Sequence, residues 1–429
     1  MSARALLSAC AVALFAAALP AAAQVRVTVD ATKVGAPLPR AVLRGFNFGN
    51  WMAVADHEAA LAEVPAGALR FPGGNIGDDQ NMDEATLDTF ASLLKLVRGS
   101  PELLIQTRVF EGRVDRPAAN SPEDAAHAVR LARERGLAVP YWEIGNEPDL
   151  YATVRGDPRW TAERYCAVFR AQAAAIRKED PKARIAGPAT SAAEPNATVF
   201  LKEFVKRCGD VVDLLTWHVY PTGGDGTEAD ALASVKMVDD LLKDYRATWR
   251  DPKANPLGHA RPVEFGVTEY GLSWRTDRPR FLADQENALW SVEAALRMAQ
   301  GGIAVAHYFA YQGTGYHGLI DAGGVPRPSH YAFRLLGDLA GSFVPARSDD
   351  TAVWAHAARD GNRVGLIVIN SKDKPQPVRI DAPGTRMTGA RWFDGRIADE
   401  ELPLAELAPA ATLTLPARTM TFISLDIAP

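Results

Sequence analysis

The sequence predicts an α/β chain: a (β/α)8 TIM barrel followed by a C-terminal all-β sandwich. Three observations carry this. Eight short apolar segments alternate with helical stretches through the middle of the chain. The alternation runs for about 300 residues, which suits a closed barrel better than the alternative, a doubly wound open sheet. Near Ser348 helical periodicity stops, and short strand-like segments separated by turns take over.

The frame is that of an ordinary globular protein. The chain has 429 residues, 47% of them hydrophobic and 23% charged, enough for a large core. Its formal charge of -5 and its lack of basic runs argue against nucleic acid or an anionic membrane as partner. Residues 1–23 read as a signal peptide. Arg4 precedes an apolar run from Ala5 to Leu19, and small Ala21 and Ala23 suit cleavage after Ala23. Leu7-Ser8-Ala9-Cys10 resembles a lipoprotein box only superficially, because the three-residue apolar run Ala5-Leu6-Leu7 ahead of Cys10 makes no h-region. The mature chain is therefore expected to be secreted or periplasmic, with no membrane partner after cleavage.

The elements follow in order. Residues 24–36 hold one strand, 25–29, whose backbone needs a partner in the C-terminal sheet. The barrel is expected over 37–341, with strands at 41–48, 67–71, 102–110, 139–145, 184–188, 213–220, 263–270 and 303–311. Helices are expected at 57–64, 83–98, 161–178, 197–207, 228–249, 284–299 and 330–339. A further helix starts at Ser121-Pro122-Glu123-Asp124, where Ser caps, Pro takes the first turn and the acids meet the positive dipole end; Gly136 ends it. The sandwich is expected over 342–429, with strands at 364–370, 377–380, 387–392, 411–415 and 420–425. Cys166 and Cys208 fall near the start of one helix and the end of the next. That puts them at different heights, so two separate thiols are expected although an exported pair is able to bridge.

In a barrel, chemistry collects at the C-terminal ends of the strands. Glu147 ends the fourth, in Trp142-Glu143-Ile144-Gly145-Asn146-Glu147-Pro148, and Glu269 ends the seventh, in Val267-Thr268-Glu269-Tyr270. Two carboxylates converging from opposite parts of one rim are what glycoside hydrolysis requires. One protonates the leaving oxygen and the other attacks the anomeric carbon. Glu143 shares the face of Glu147 and is expected to pair with a basic residue inside the barrel. His218 and Tyr220, in Trp217-His218-Val219-Tyr220-Pro221, face one side of strand six. Trp51, Trp274, Tyr308 and Tyr311 stand near strand ends, where aromatics stack on sugars or simply pack. Metal chemistry needs three converging ligands, and His307 is the only other strand histidine, so no metal and no cofactor are expected.

Gly145-Asn146-Glu147-Pro148 and Thr268-Glu269-Tyr270 resemble the acid/base and nucleophile signatures of the clan GH-A retaining glycosidases. Leu69-Arg70-Phe71-Pro72-Gly73-Gly74-Asn75 is similar to a strand-two string of glycoside hydrolase family 44 and to shorter forms in families 51 and 79; family 39 belongs to the same group of resemblances. The resemblance implies Glu147 as general acid/base and Glu269 as nucleophile. It implies Asn146 as donor to the sugar 2-hydroxyl, Arg70 as the charge that keeps the nucleophile ionised, Tyr220 as its hydrogen-bond donor and His218 as part of the sugar site. Asn75, Trp274 and Tyr308 join the substrate-binding candidates. The reading is a glycosidase acting on a polysaccharide or oligosaccharide. The alternatives are an exo-acting α-L-arabinofuranosidase or β-glucuronidase, and a carbohydrate-binding barrel without turnover.

Overall fold

In the computed structural model, which describes residues 24–112, 117–313 and 315–428, eight parallel strands close into a barrel. In order they are Gly45–Asn47, Ala66–Phe71, Gly99–Thr107, Tyr141–Ile144, Arg184–Thr190, Leu214–Val219, Glu264–Tyr270 and Val305–Tyr308, numbered one to eight below. Phe46 pairs with Tyr308 to close the ring. The signal-peptide reading falls on residues outside those described. Among the described residues no helix is long and apolar enough to cross a membrane.

Alternation along each strand sorts the side chains between two environments. On strand four Trp142 and Ile144 join the apolar layer beneath the helices, while Tyr141 and Glu143 point to the barrel axis. Leu104, Tyr141, Ala186, Leu214 and Val305 form the apolar floor of the interior. Above it the axis turns polar: Asn47, Arg70, Gln106, Glu143, Thr216, His218 and His307 are all buried. Burying polar groups costs stability unless hydrogen bonds compensate them, and both ring nitrogens of His307 lack a partner among the described residues, so this layer marks the part of the barrel with a purpose other than stability.

The helices begin where local chemistry dictates. Ser121 caps Pro122–Glu134 with a full capping box, its hydroxyl accepting from the Asp124 N–H while Asp124 accepts from the Ser121 N–H. Four expectations need correction. Residues 41–48 are not one strand. Pro39 sets a helical turn, Arg40–Leu43, which buries Val42 and Leu43 before strand one begins at Gly45. The helix expected at 228–249 is three pieces: Glu228–Ala233, a 3-10 turn Ser234–Lys236, and Met237–Arg250. The tail contains one short helix, Gly395–Asp399, capped by Asp394. Finally, Cys166 and Cys208 are joined in a disulfide, with Cα atoms 5.9 Å apart. The helix ends are not level: Tyr165 meets Phe200 and Phe204, and Arg170 reaches the carbonyl of Arg207. The end of Asn196–Cys208 therefore lies beside the first turns of Ala162–Glu179.

The C-terminal domain has two sheets. One orders Ala346–Ser348, Val25–Val29, Gln376–Asp381 and Thr412–Leu415. Val25–Val29 pairs antiparallel with the first of these and parallel with the third. The other sheet orders Ser342–Val344, Val353–Asp360, Arg363–Asn370, Thr419–Ile427, Thr385–Phe393 and Ala405–Leu407. The sequence reading missed Val353–Asp360 and the three-residue strands. Trp354, Ile367, Ile369, Phe393, Met420 and Phe422 of this sheet share one continuous core with Tyr331, Phe333 and Leu336 of the last barrel helix. Across the same contact His356 meets buried Glu293 at 2.8 Å, while Arg297, one turn on in the helix that carries Glu293, meets it at 2.7 Å. A chain ending at residue 341 is therefore expected to expose an apolar face and a half-paired carboxylate and to be recovered insoluble. Soluble, fully active truncated protein in a sedimentation and activity assay would contradict this.

Candidate active site

The rim above strands two, four, six and seven carries a connected set of polar side chains. Arg70, fully buried, is its hub. Nε donates to Glu143 Oε2 at 2.6 Å, Nη1 to Glu269 Oε1 at 2.6 Å and to Asn47 Oδ1 at 3.0 Å, and Nη2 to Asn146 Oδ1 at 2.7 Å. The planar guanidinium is suited to this because its donors form a rigid fork. Asn47 is held in turn by donating to the carbonyls of Thr268 and His307 at 3.0 and 3.1 Å. Strand two ends in Pro72-Gly73-Gly74, and both glycines take positive φ, +74° and +72°. A Cβ on Gly74 would come within 3.0 Å of the Phe309 ring, so the turn runs where a side chain has no room.

Glu147 caps the 3-10 turn Pro148–Leu150 in a left-handed conformation, φ 46° and ψ 51°. That geometry costs a non-glycine residue about 1–2 kcal/mol, and such outliers gather at functional sites. Its N–H donates to the Ala189 carbonyl at 2.9 Å, and its Oε1 lies 2.9 Å from His218 Nδ1. Burial pushes the Glu147 carboxyl up to about 7, with Arg70 and Arg155 opposing the rise. Burial also lowers His218, to about 4, so its ring is neutral at pH 7. While Glu147 holds its proton, Nδ1 accepts it in the hydrogen bond. Glu269 stands opposite with a different environment. Besides Arg70 on Oε1, its Oε2 accepts from the Tyr220 hydroxyl at 2.9 Å.

The sequence candidates fall into two groups. Glu147, Glu269, Asn146, Arg70, His218 and Tyr220 meet in this cluster. Asn75 joins it at the edge, accepting from Asn146 Nδ2 at 3.3 Å and from Arg155 at 3.1 Å. Trp274 does not touch it; it stands 56% exposed on the loop after strand seven, with the Arg275 guanidinium 5.2 Å from its ring centre. Tyr308 is a correction. With His307 facing the axis, strand alternation turns Tyr308 outward among Tyr270 and Phe333, where its hydroxyl accepts from Asn287 at 2.8 Å. Tyr311 is likewise buried away from the site, donating to the carbonyls of Leu61 and Val64.

Several members were missed. Gln106 accepts from the Gly73 N–H at 3.0 Å and so fixes the glycine turn; its parity on strand three was the available signal. Phe309 stacks on Trp51 with centroids 6.5 Å apart and takes His317 edge-on, forming one wall. Arg155 binds Asp79 at 2.8 Å and buried Asp78 at 3.8 Å, and Tyr151 donates to Asp78 at 2.5 Å while accepting from the Asn146 N–H. No local pattern announces that tie between the loops after strands two and four.

One ligand atom each from Glu147, His218 and Glu269 lies within 4.8 Å of the others. Three donors at that spacing meet the geometric minimum for a cation. Their chemistry suits it poorly, because both Glu269 oxygens already accept hydrogen bonds and the Arg70 charge sits 2.6 Å away. The arrangement instead pairs a carboxyl that holds its proton near neutrality with a carboxylate held by a cation and a phenol.

The profile of Glycosyl hydrolases family 39 matches residues 137–381, more than half of the chain and a span that includes both glutamates. A β-xylosidase of Caldicellulosiruptor saccharolyticus is 24% identical over 274 residues, 60% of this chain and 53% of the xylosidase. A heparanase of Bos taurus is 26% identical over 209 residues, 47% of this chain and 36% of the heparanase. The chain thus spans about half or less of these relatives. Among solved structures, an α-L-arabinofuranosidase of Thermotoga maritima superposes with a TM-score of 0.74 at 14% identity, covering 94% of this chain and all of that one. A family 44 xyloglucanase of Paenibacillus polymyxa gives 0.68 at 14% identity, covering 94% and 99%. These likenesses establish the shared fold, a barrel with an appended β domain. By the extent of the profile match, the chain belongs to glycosyl hydrolases family 39.

Proposed function

We propose that the chain is a retaining glycoside hydrolase that cleaves glycosides of neutral sugars in two displacements, with Glu269 as nucleophile and Glu147 as general acid and then base. The observation that carries this is the spacing of the two glutamates. One oxygen of each lies within 4.8 Å of the other. Direct attack calls for carboxyl groups about 5–5.5 Å apart, and an oxygen of each glutamate within 4.8 Å of the other is consistent with that spacing. In the first step Glu269 attacks the anomeric carbon while Glu147 gives its proton to the leaving oxygen. In the second, Glu147, now ionised, takes a proton from water as it breaks the glycosyl ester. The same spacing argues against a barrel that binds sugar without turnover.

Charge supports a neutral sugar over a glucuronide. Both guanidiniums at the cluster are already engaged by carboxylates, Arg70 by Glu143 and Glu269, Arg155 by Asp78 and Asp79. A uronate would bring a further negative charge beside Glu143 and Glu269, which already share one guanidinium, so a neutral glycoside such as a xyloside or arabinofuranoside fits better. Export is part of the proposal. The Cys166–Cys208 disulfide supports it, since such bonds persist in oxidising compartments.

The proton on Glu147 makes a prediction. It is bound below about pH 7 and lost above, so hydrolysis of substrates with poor leaving groups is expected to fall as pH rises through about 7. Aryl glycosides with good leaving groups need no proton in the first step, and kcat/KM of Glu147→Gln for them is expected to show no such limb. A descending limb that persists unchanged in that variant would assign it to another group. Product analysis with xylan, arabinan, β-glucan and glucuronides tests the substrate class; rapid release of glucuronic acid alone would overturn it.

A further inference from the structure

Glu143 lies beneath the reacting groups and has no part in the two displacements. It is fully buried on strand four, its Oε2 accepts from Arg70 Nε at 2.6 Å, and its Oε1 has no hydrogen-bond partner among the described residues. A glutamine there would satisfy Arg70 Nε equally well through its carbonyl. An ionised carboxylate is far costlier to bury than an amide, so the negative charge itself calls for an explanation. That charge is opposite one guanidinium that also serves Glu269 at 2.6 Å. One cation is therefore shared by two carboxylates.

We propose that Glu143 is a positioning residue that divides the charge of Arg70, so that Glu269 is held in place without being quenched as a nucleophile. This rests on reading Glu269 as the nucleophile. Were the whole guanidinium charge given to Glu269, its lone pairs would be better stabilised and less ready to attack. The floor of the site would also lose the net negative charge that favours a developing oxocarbenium ion. The other groups facing this assembly do not supply the missing charge. His218 and His307, both lowered by burial, are neutral at pH 7, and Tyr220 and Tyr165, both raised by burial, keep their protons. Glu147 lies on the far side, on His218.

The test is Glu143→Gln, read as kcat/KM against pH. The probe is the para-nitrophenyl glycoside that the unaltered enzyme cleaves fastest among the β-xyloside, α-L-arabinofuranoside, β-glucoside and β-galactoside. With such a leaving group the acidic limb reports the nucleophile. Removing the second carboxylate is expected to lower kcat/KM about tenfold and to move the acidic limb down by about half to one pH unit, because Arg70 then favours the ionised nucleophile more. A limb that stays in place, or that moves up because Arg70 has swung away, would overturn the proposal and leave Glu143 a scaffold for Arg70. Glu143→Asp keeps the charge and is the second variant, decisive if the glutamine protein does not fold. Its limb is expected at the unaltered pH even where the rate falls, and a displaced limb would count against charge sharing. Failure of the nucleophile assignment shows separately, as turnover surviving in Glu269→Ala.

Discussion

Glu269→Ala is expected to lose activity by a factor on the order of 10⁴–10⁶ on every substrate, the scale seen when a nucleophile acting as part of a unit is removed. No leaving group compensates, because the alanine protein cannot form the glycosyl ester. Glu147→Ala is expected to behave differently. Substrates with good leaving groups pass the first step unaided, and the ester then accumulates for want of a base. Azide, which needs no base, should restore turnover and yield a glycosyl azide of retained configuration. Rates measured with and without azide, and the configuration of the product, check both assignments. Equal losses in the two variants on activated substrates would contradict the division of roles.

Arg70→Ala is expected to have the next largest effect, on folding and activity together. It removes the only cation bonded to Glu143 and Glu269 among the described residues, and one donor to each of Asn47 and Asn146. Breaking a buried pair from one side costs about 3–5 kcal/mol, since uncompensated charge remains inside. At neutral pH the two carboxylates are expected to relieve this by taking up a proton, so the acidic limb of the rate profile should move to higher pH. Thermal unfolding and the pH profile of Arg70→Ala measure both. Arg70→Lys, which keeps the charge without the fork, should recover stability better than rate. An Arg70→Ala protein with native melting temperature and an unmoved limb would deny Arg70 both functions.

The barrel was legible because its signals are periodic. Eight apolar segments, each followed by a helix with recognisable caps such as Ser121 and stops such as Gly136, admit few topologies. Where legibility failed, tertiary contact overrode a local pattern. Arg40–Leu43 is apolar enough to read as strand, yet it closes a helical turn after Pro39. Cys166 and Cys208 were misjudged because the offset of one helix along its neighbour is set by packing of Tyr165, Phe200 and Phe204, which no spacing encodes. Tyr308 was a candidate for its place at a strand end, but strand alternation turns it into the helix layer. In the site, Glu147 and Glu269 stood out because carboxylates at strand ends between distinctive neighbours are rare. Gln106 and the Asp78–Arg155 tie did not, because their importance lies in which loops they join.

Direct attack by Glu269 is read from the anomer first released. Proton NMR of the reaction in its first minutes, before mutarotation, reports the configuration of the nascent sugar. The two-displacement account predicts that it matches the configuration of the substrate. Net inversion would contradict the mechanism and, with it, the roles given to Glu147 and Glu269.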